Sequence, residues 1–125
     1  MTRVFLADPR IEERSALRAL IIDLQMEMAG EASDWFTLYS KAGAACPDMI
    51  LLSWELLPKK RNQAIDQLRK SCPEARIVAI VNQTRNFRDV IQLTSIDDFI
   101  SKEDFPLKVA EVLSNSAGKQ DLARR

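Results

Sequence analysis

A chain of 125 residues with 46% hydrophobic content is the size of one ordinary domain with a single core. Its 18 Lys plus Arg balance 18 Asp plus Glu, so no net charge draws it to nucleic acid or to an anionic membrane. It has no histidine, which removes Ser-His-Asp and Cys-His nucleophiles, histidine-ligated metals and any role as a histidine phosphodonor.

Cys46 and Cys72 stand alone, with no CxxC. That usage fits two buried, reduced thiols of a cytoplasmic protein rather than a disulfide framework or a zinc site. No apolar run approaches the roughly 20 residues that cross a bilayer, and the first residues lack the apolar stretch of a signal peptide. The expectation is a cytoplasmic protein without membrane contact.

In chain order, "RVFLA" (3–7) reads as a strand buried on both faces. Ala16, Leu17, Leu20, Ile21 and Leu24 then recur at helical spacing. "MEMAGEA" (26–32) alternates weakly and reads as a strand near a sheet edge, followed by a helix carrying Trp35, Leu38, Tyr39 and Ala42. "MILLS" (49–53) is a third, fully buried strand, and Ala64, Ile65 and Leu68 mark the third helix. "RIVAIV" (76–81) is the fourth strand, with Phe87, Val90 and Ile91 on the helix after it. "DFIS" (98–101) is a short fifth strand, and Val109, Ala110, Val112 and Leu113 mark the last helix, with Pro106 suited to its first position. Strictly alternating strands and helices predict an α/β fold, a doubly wound five-stranded parallel sheet in a three-layer αβα sandwich. Residues 1–116 form the predicted domain and 117–125 a tail or linker stub.

Ligands of such sheets gather outside the carboxyl ends of the strands, at the switch point of strand order. Those ends here are Asp8 and Pro9, then Ser53, Trp54 and Glu55, then Val81 and Asn82, then Ser101 and Lys102. Trp54 is expected at the rim as a packing residue. "PKKR" (58–61) reads as a solvated loop, too small to argue nucleic-acid binding. With three glycines in the chain and none after the first strand, there is no phosphate-cradling loop, and a flavodoxin-like enzyme is not expected.

"RVFLADPRIEERSALRALI", "GEASDWFTLYSKAGAACPDMILLSWELL", "CPEARIVAIV" and "DDFISKEDF" together resemble a response-regulator receiver domain of the kind that precedes a LuxR- or NarL-type DNA-binding module. The likeness runs from Arg3 to about Leu113. It implies a (βα)5 fold with strand order 2-1-3-4-5 and a place in two-component, phosphorelay signalling.

The resemblance also assigns positions. Receivers hold Mg²⁺ with two adjacent acids after the first strand, where this chain has Asp8 and Pro9. Their acceptor aspartate ends the third strand, where this chain has Ser53; their hydroxyl residue ends the fourth, where it has Val81. Lys102 falls on the family's lysine and Phe99 on its switch aromatic. "LLPKKRN" replaces the usual Pro-Gly loop, and the stretch from Val81 to Phe99 is one residue short of the family's. The expectation is a degenerate pseudo-receiver with no catalytic residues, no cofactor and Mg²⁺ binding lost or weak. Asp8 and Glu55 are the only weak metal candidates, and Asp8 is expected to pair with Lys102.

The resemblance further implies a protein partner or a homodimer through the fourth helix, fifth strand and fifth helix (Arg88, Phe99, Lys108, Glu111), without direct nucleic-acid binding. Two other readings stay open: a small-molecule or anion sensor using the former phosphorylation cleft, and the front part of a DNA-binding regulator.

Overall fold

The computed structural model describes residues 1–81, 96–101, 110–111 and 113–115. Strands β1 (Arg3–Ala7), β2 (Glu27–Ala32), β3 (Met49–Ser53), β4 (Arg76–Val81) and β5 (Asp98–Ser101) alternate with helices α1 (Ile11–Asp23), α2 (Trp35–Ala45) and α3 (Arg61–Ser71) along the described chain. They form one sheet in the order β2-β1-β3-β4-β5, every neighbouring pair parallel. Arg88, Lys102, Pro106 and Lys108, the predicted helix around Phe87, Val90 and Ile91, and the tail lie outside the described residues.

Side-chain alternation divides the core between the two faces of the sheet. Phe5, Ala7, Ile50, Leu52, Ile77 and Ala79 pack against Leu38 and Ala42 of α2 and Ile65 and Leu68 of α3. Val4, Leu6, Met49, Leu51, Val78 and Ile80 pack against Leu17 and Ile21 of α1 and against Leu113. All five residues of β3 are buried, which explains why its sequence is an unbroken apolar run rather than an alternating one. The weakly alternating β2 is an edge strand, as its pattern predicts. Ala16 is exposed and Tyr39 is 40% exposed, so α1 and α2 bury narrower stripes than their spacing suggests. Tyr39 stacks on Trp35 instead, with ring centroids 6.0 Å apart.

Two carboxylates stitch the amino-terminal edge of the sheet. Asp48 accepts a hydrogen bond from the Arg3 backbone N–H at 2.8 Å, and Asp97 accepts one from the Ile77 N–H at 2.8 Å. Asp34 caps α2, accepting from the Thr37 N–H at 2.8 Å and from the Thr37 hydroxyl at 3.0 Å. Those bonds hold its carboxyl below the usual carboxylate range.

The cysteines correct the expectation that both thiols are buried. Cys72 is buried but Cys46 is exposed. Cys46 follows the last residue of α2 in the left-handed conformation, φ 48°, which leaves its side chain outside the packed layer. Its thiol donates to the Gly43 carbonyl at 3.3 Å. Burial pushes the Cys72 thiol up, Cys46 adds to this, and Arg69 offsets part of it. Since the thiolate is the nucleophile, iodoacetamide at pH 8 should label Cys46 at least about tenfold faster than Cys72 in the folded protein. Peptide mass spectrometry with and without denaturant reads this out, and equal rates in the native state would contradict it.

Candidate functional site

Register places the strand ends side by side. Ala7 pairs with Leu52, Ser53 with Ile80 and Val81 with Ser101. Asp8, Ser53, Val81 and Ser101 therefore line one edge of the sheet. The chain winds from β1 outward to β2 and then returns past β1 to β3, so the switch point falls between the ends of β1 and β3, at Asp8 and Ser53.

Asp8 is fully buried. Its N–H donates to the Ala32 carbonyl at 3.0 Å, its carboxylate accepts from the Arg10 N–H at 2.9 Å, and its own carbonyl accepts from the Arg14 guanidinium at 2.8 Å. Pro9 is exposed and brings no side-chain donor or acceptor. The Arg10 side chain crosses to the loop after β3, where it meets Glu55 Oε1 at 3.1 Å. Arg10 thus joins the two loops of the switch point, one through its backbone and one through its guanidinium. Sequence reasoning missed this role, because a contact across 45 residues leaves no local pattern.

Ser53 is fully buried, and its hydroxyl has no hydrogen-bond partner among the described residues. A buried hydroxyl left unpaired costs about 1–3 kcal/mol. Behind it, a 3₁₀ turn spans Trp54–Leu56. Trp54 is a packing residue, as its sequence position suggests, but not at the rim: it is 1% exposed and belongs to the core beneath α2 and α3. The tight turn carries Trp54 and Leu56 inward and leaves Glu55 outside. The Arg61 guanidinium covers the indole, 5.0 Å from its centroid, a cation–π contact that closes the ring off from water.

Val81 is fully buried, while Phe99 on β5 is 39% exposed and pairs in register with Ala79. Glu111 is exposed. The structure therefore brings Asp8, Pro9, Ser53 and Val81 to one edge, with Phe99 on the neighbouring strand. The expected Asp8–Lys102 pair and the positions Arg88 and Lys108 fall outside the described residues.

This architecture has close counterparts among solved structures. The REC domain of AraT, a response regulator from Geobacillus stearothermophilus, superposes with a TM-score of 0.83 over 99% of this chain and 98% of its own, at 20% identity. The fold is that of a response-regulator receiver domain. The receiver domain of Thermotoga maritima CheB matches at TM-score 0.78 and 23% identity, covering 97% of each chain. A LuxR-family two-component response regulator from Aurantimonas matches at TM-score 0.79 and 19% identity, over 94% of this chain and 86% of that one. No family model and no curated protein matches the sequence. Among the described residues, no helix of this receiver fold is long and apolar enough to cross a membrane.

Proposed function

We propose that this receiver fold is a regulatory module that is not phosphorylated on aspartate and that acts by binding a protein partner, either another chain or a second copy of itself. The observation that carries the reading is Ser53. At the switch-point end of β3 stands a buried hydroxyl with no hydrogen-bond partner among the described residues, where receivers offer a carboxylate nucleophile.

The surroundings support it. In-line attack on a phosphoryl group needs an activated nucleophile and a cation to neutralise the transferring oxygens. Serine needs a general base, and the chain has no histidine. Mg²⁺ prefers an octahedron of hard oxygens including one or two carboxylates. Asp8 offers one, Pro9 none, and Glu55 is engaged by the Arg10 guanidinium, whose positive charge opposes a second cation there. Among the described residues, the donors at this edge do not fit the usual Mg²⁺ site of a receiver. Val81 has no side-chain donor to receive a phosphoryl oxygen. Phe99, half-exposed, and Glu111, exposed, are the described parts of the interaction face that the resemblance implies.

The test is a titration with Mg²⁺ and then beryllofluoride, followed through the Trp54 indole and the Ser53 amide in two-dimensional NMR. Both signals should stay where they are up to millimolar Mg²⁺, with and without the phosphoryl mimic. A saturable shift at either position would overturn the proposal.

A further inference from the structure

We propose that the cleft between the start of α2 and the start of α3 binds an acidic peptide segment of a protein partner, with an apolar or aromatic side chain of that segment seated beside Trp35. This goes beyond the silent-site reading and does not depend on it: the cleft lies on the carboxyl side of the sheet, since α2 and α3 follow β2 and β3, but its lining includes none of Asp8, Pro9, Ser53 and Val81.

The cleft has a volume of about 360 Å³, within the range of about 300–1,000 Å³ that ligand clefts occupy. Its apolar surface comes from Trp35, Pro58 and Ala64. Trp35 is held in place by its stack on Tyr39. Phe36, next in the chain but not part of the cleft wall, is 78% exposed, a large apolar group in water that extends the apolar surface at the start of α2.

Charge decides the kind of partner. Three consecutive cations, Lys59, Lys60 and Arg61, stand where the loop after β3 enters α3, and the fold divides them. Arg61 turns inward onto the Trp54 ring, while Lys59 and Lys60 line the cleft, are exposed and form no ion pair with any described residue. No carboxylate lines the cleft, and nearby Asp34 is committed to capping α2 through Thr37. An occupant must therefore bring negative charge. Gln63 and Gln67, one turn apart on α3, form the remaining wall, and their amides can both donate to and accept from a peptide backbone.

Nucleic acid and anionic lipid share the negative charge but fit less well. Two lysines neutralise about two phosphates, a weak electrostatic footprint, and the chain as a whole has no net charge to reinforce it. Short carboxylates flanking one apolar side chain match two lysines flanking one indole.

The experiment uses the full chain, isotope-labelled and free of Mg²⁺ and phosphoryl mimics, so that its outcome is separate from that of the phosphorylation test. Twelve-residue peptides carrying one Phe or Leu flanked by four Glu are titrated in. The expected result is saturable shifts confined to the Trp35 indole, the Gln63 and Gln67 side-chain amides and the 58–60 backbone. Binding should weaken at least tenfold when Lys59→Glu and Lys60→Glu are combined, or when the peptide's Glu residues become Gln. Both lysines are exposed, so the double variant keeps its remaining spectrum. Absence of shifts with every peptide, or unchanged affinity in the charge-reversed variant, overturns the proposal. So does stronger binding at these resonances by a uridine oligonucleotide or by phosphatidylserine vesicles.

Discussion

Ser53→Asp is expected to lower the stability of the folded chain by about 3 kcal/mol when no divalent cation is present. Ser53 and Asp8 are both fully buried at adjoining strand ends, so the new carboxyl would meet a like charge where water cannot screen it. Two such groups cannot both ionise without cost, and the introduced carboxyl takes a raised pKa. A raised carboxyl pKa means the folded state holds its proton longer than the unfolded state. The variant's deficit is thus smallest in acid and grows as pH rises through the interval between the unfolded and folded values. Urea denaturation at two pH values measures this. Mg²⁺ should recover part of the loss in the variant and none in the parent, because a cation that binds only the folded state stabilises it by mass action.

The companion Ser53→Ala removes a hydroxyl that has no partner among the described residues, and should leave stability unchanged or raise it by about 0.5–1 kcal/mol. Should Ser53→Asp cost nothing while Mg²⁺ changes nothing, the edge already holds balancing charge for an acceptor, and the silent-site reading would lose its main support. A loss of 1 kcal/mol or more for Ser53→Ala would show that the hydroxyl is paired.

The inner strands were legible because parallel strands buried on both faces must be short, nearly unbroken apolar runs. β1, β3 and β4 begin and end where those runs do, β5 is a half-buried edge strand marked only by the short DFIS segment, and the strand order followed from the resemblance. The residues at the strand ends were legible for the same reason, since an apolar run that stops marks the edge of the sheet. What could not be read was direction and distance. Trp54 is amphipathic, and only the 3₁₀ turn decides whether it faces solvent or core. Cys46 looks like any small apolar residue until the left-handed cap turns it outward. Arg10 and Glu55 meet across 45 residues, where neither periodicity nor spacing carries a signal. The cleft at Trp35 is likewise assembled from two helices and a loop. A charge run that reads as a solvated loop acquires a specific neighbour only in the fold.

Gly30→Ala is the second substitution with a large expected effect, a loss of about 2 kcal/mol. In most strands the exchange would help, because alanine restricts the unfolded chain by about 0.4–1 kcal/mol. Here space decides the sign. The pairing of β1 with β2 slips by one residue between Val4 and Phe5, so that Val4 faces Met28 and Phe5 faces Gly30. That slip sets the Phe5 ring over the glycine. A Cβ on residue 30 would lie 2.5 Å from Phe5 Cε2, 3.0 Å from Cδ2 and 3.2 Å from Cζ. The ring is 1% exposed and packed among core residues, so it cannot swing away as a surface side chain would. Either the ring leaves its rotamer or the edge strand moves off, and both cost more than the entropy gained. Thermal unfolding should show a fall in Tm of about 7 °C for a domain of this size. Phe5→Leu alone should cost about 1–2 kcal/mol, and adding Gly30→Ala to it should cost little more. A coupling above about 1 kcal/mol in that cycle would identify the clash as the cause. An unchanged or raised Tm for Gly30→Ala would mean that β2 accommodates a methyl group there, and the tight register between β1 and its edge neighbour would not be what holds Phe5 in the core.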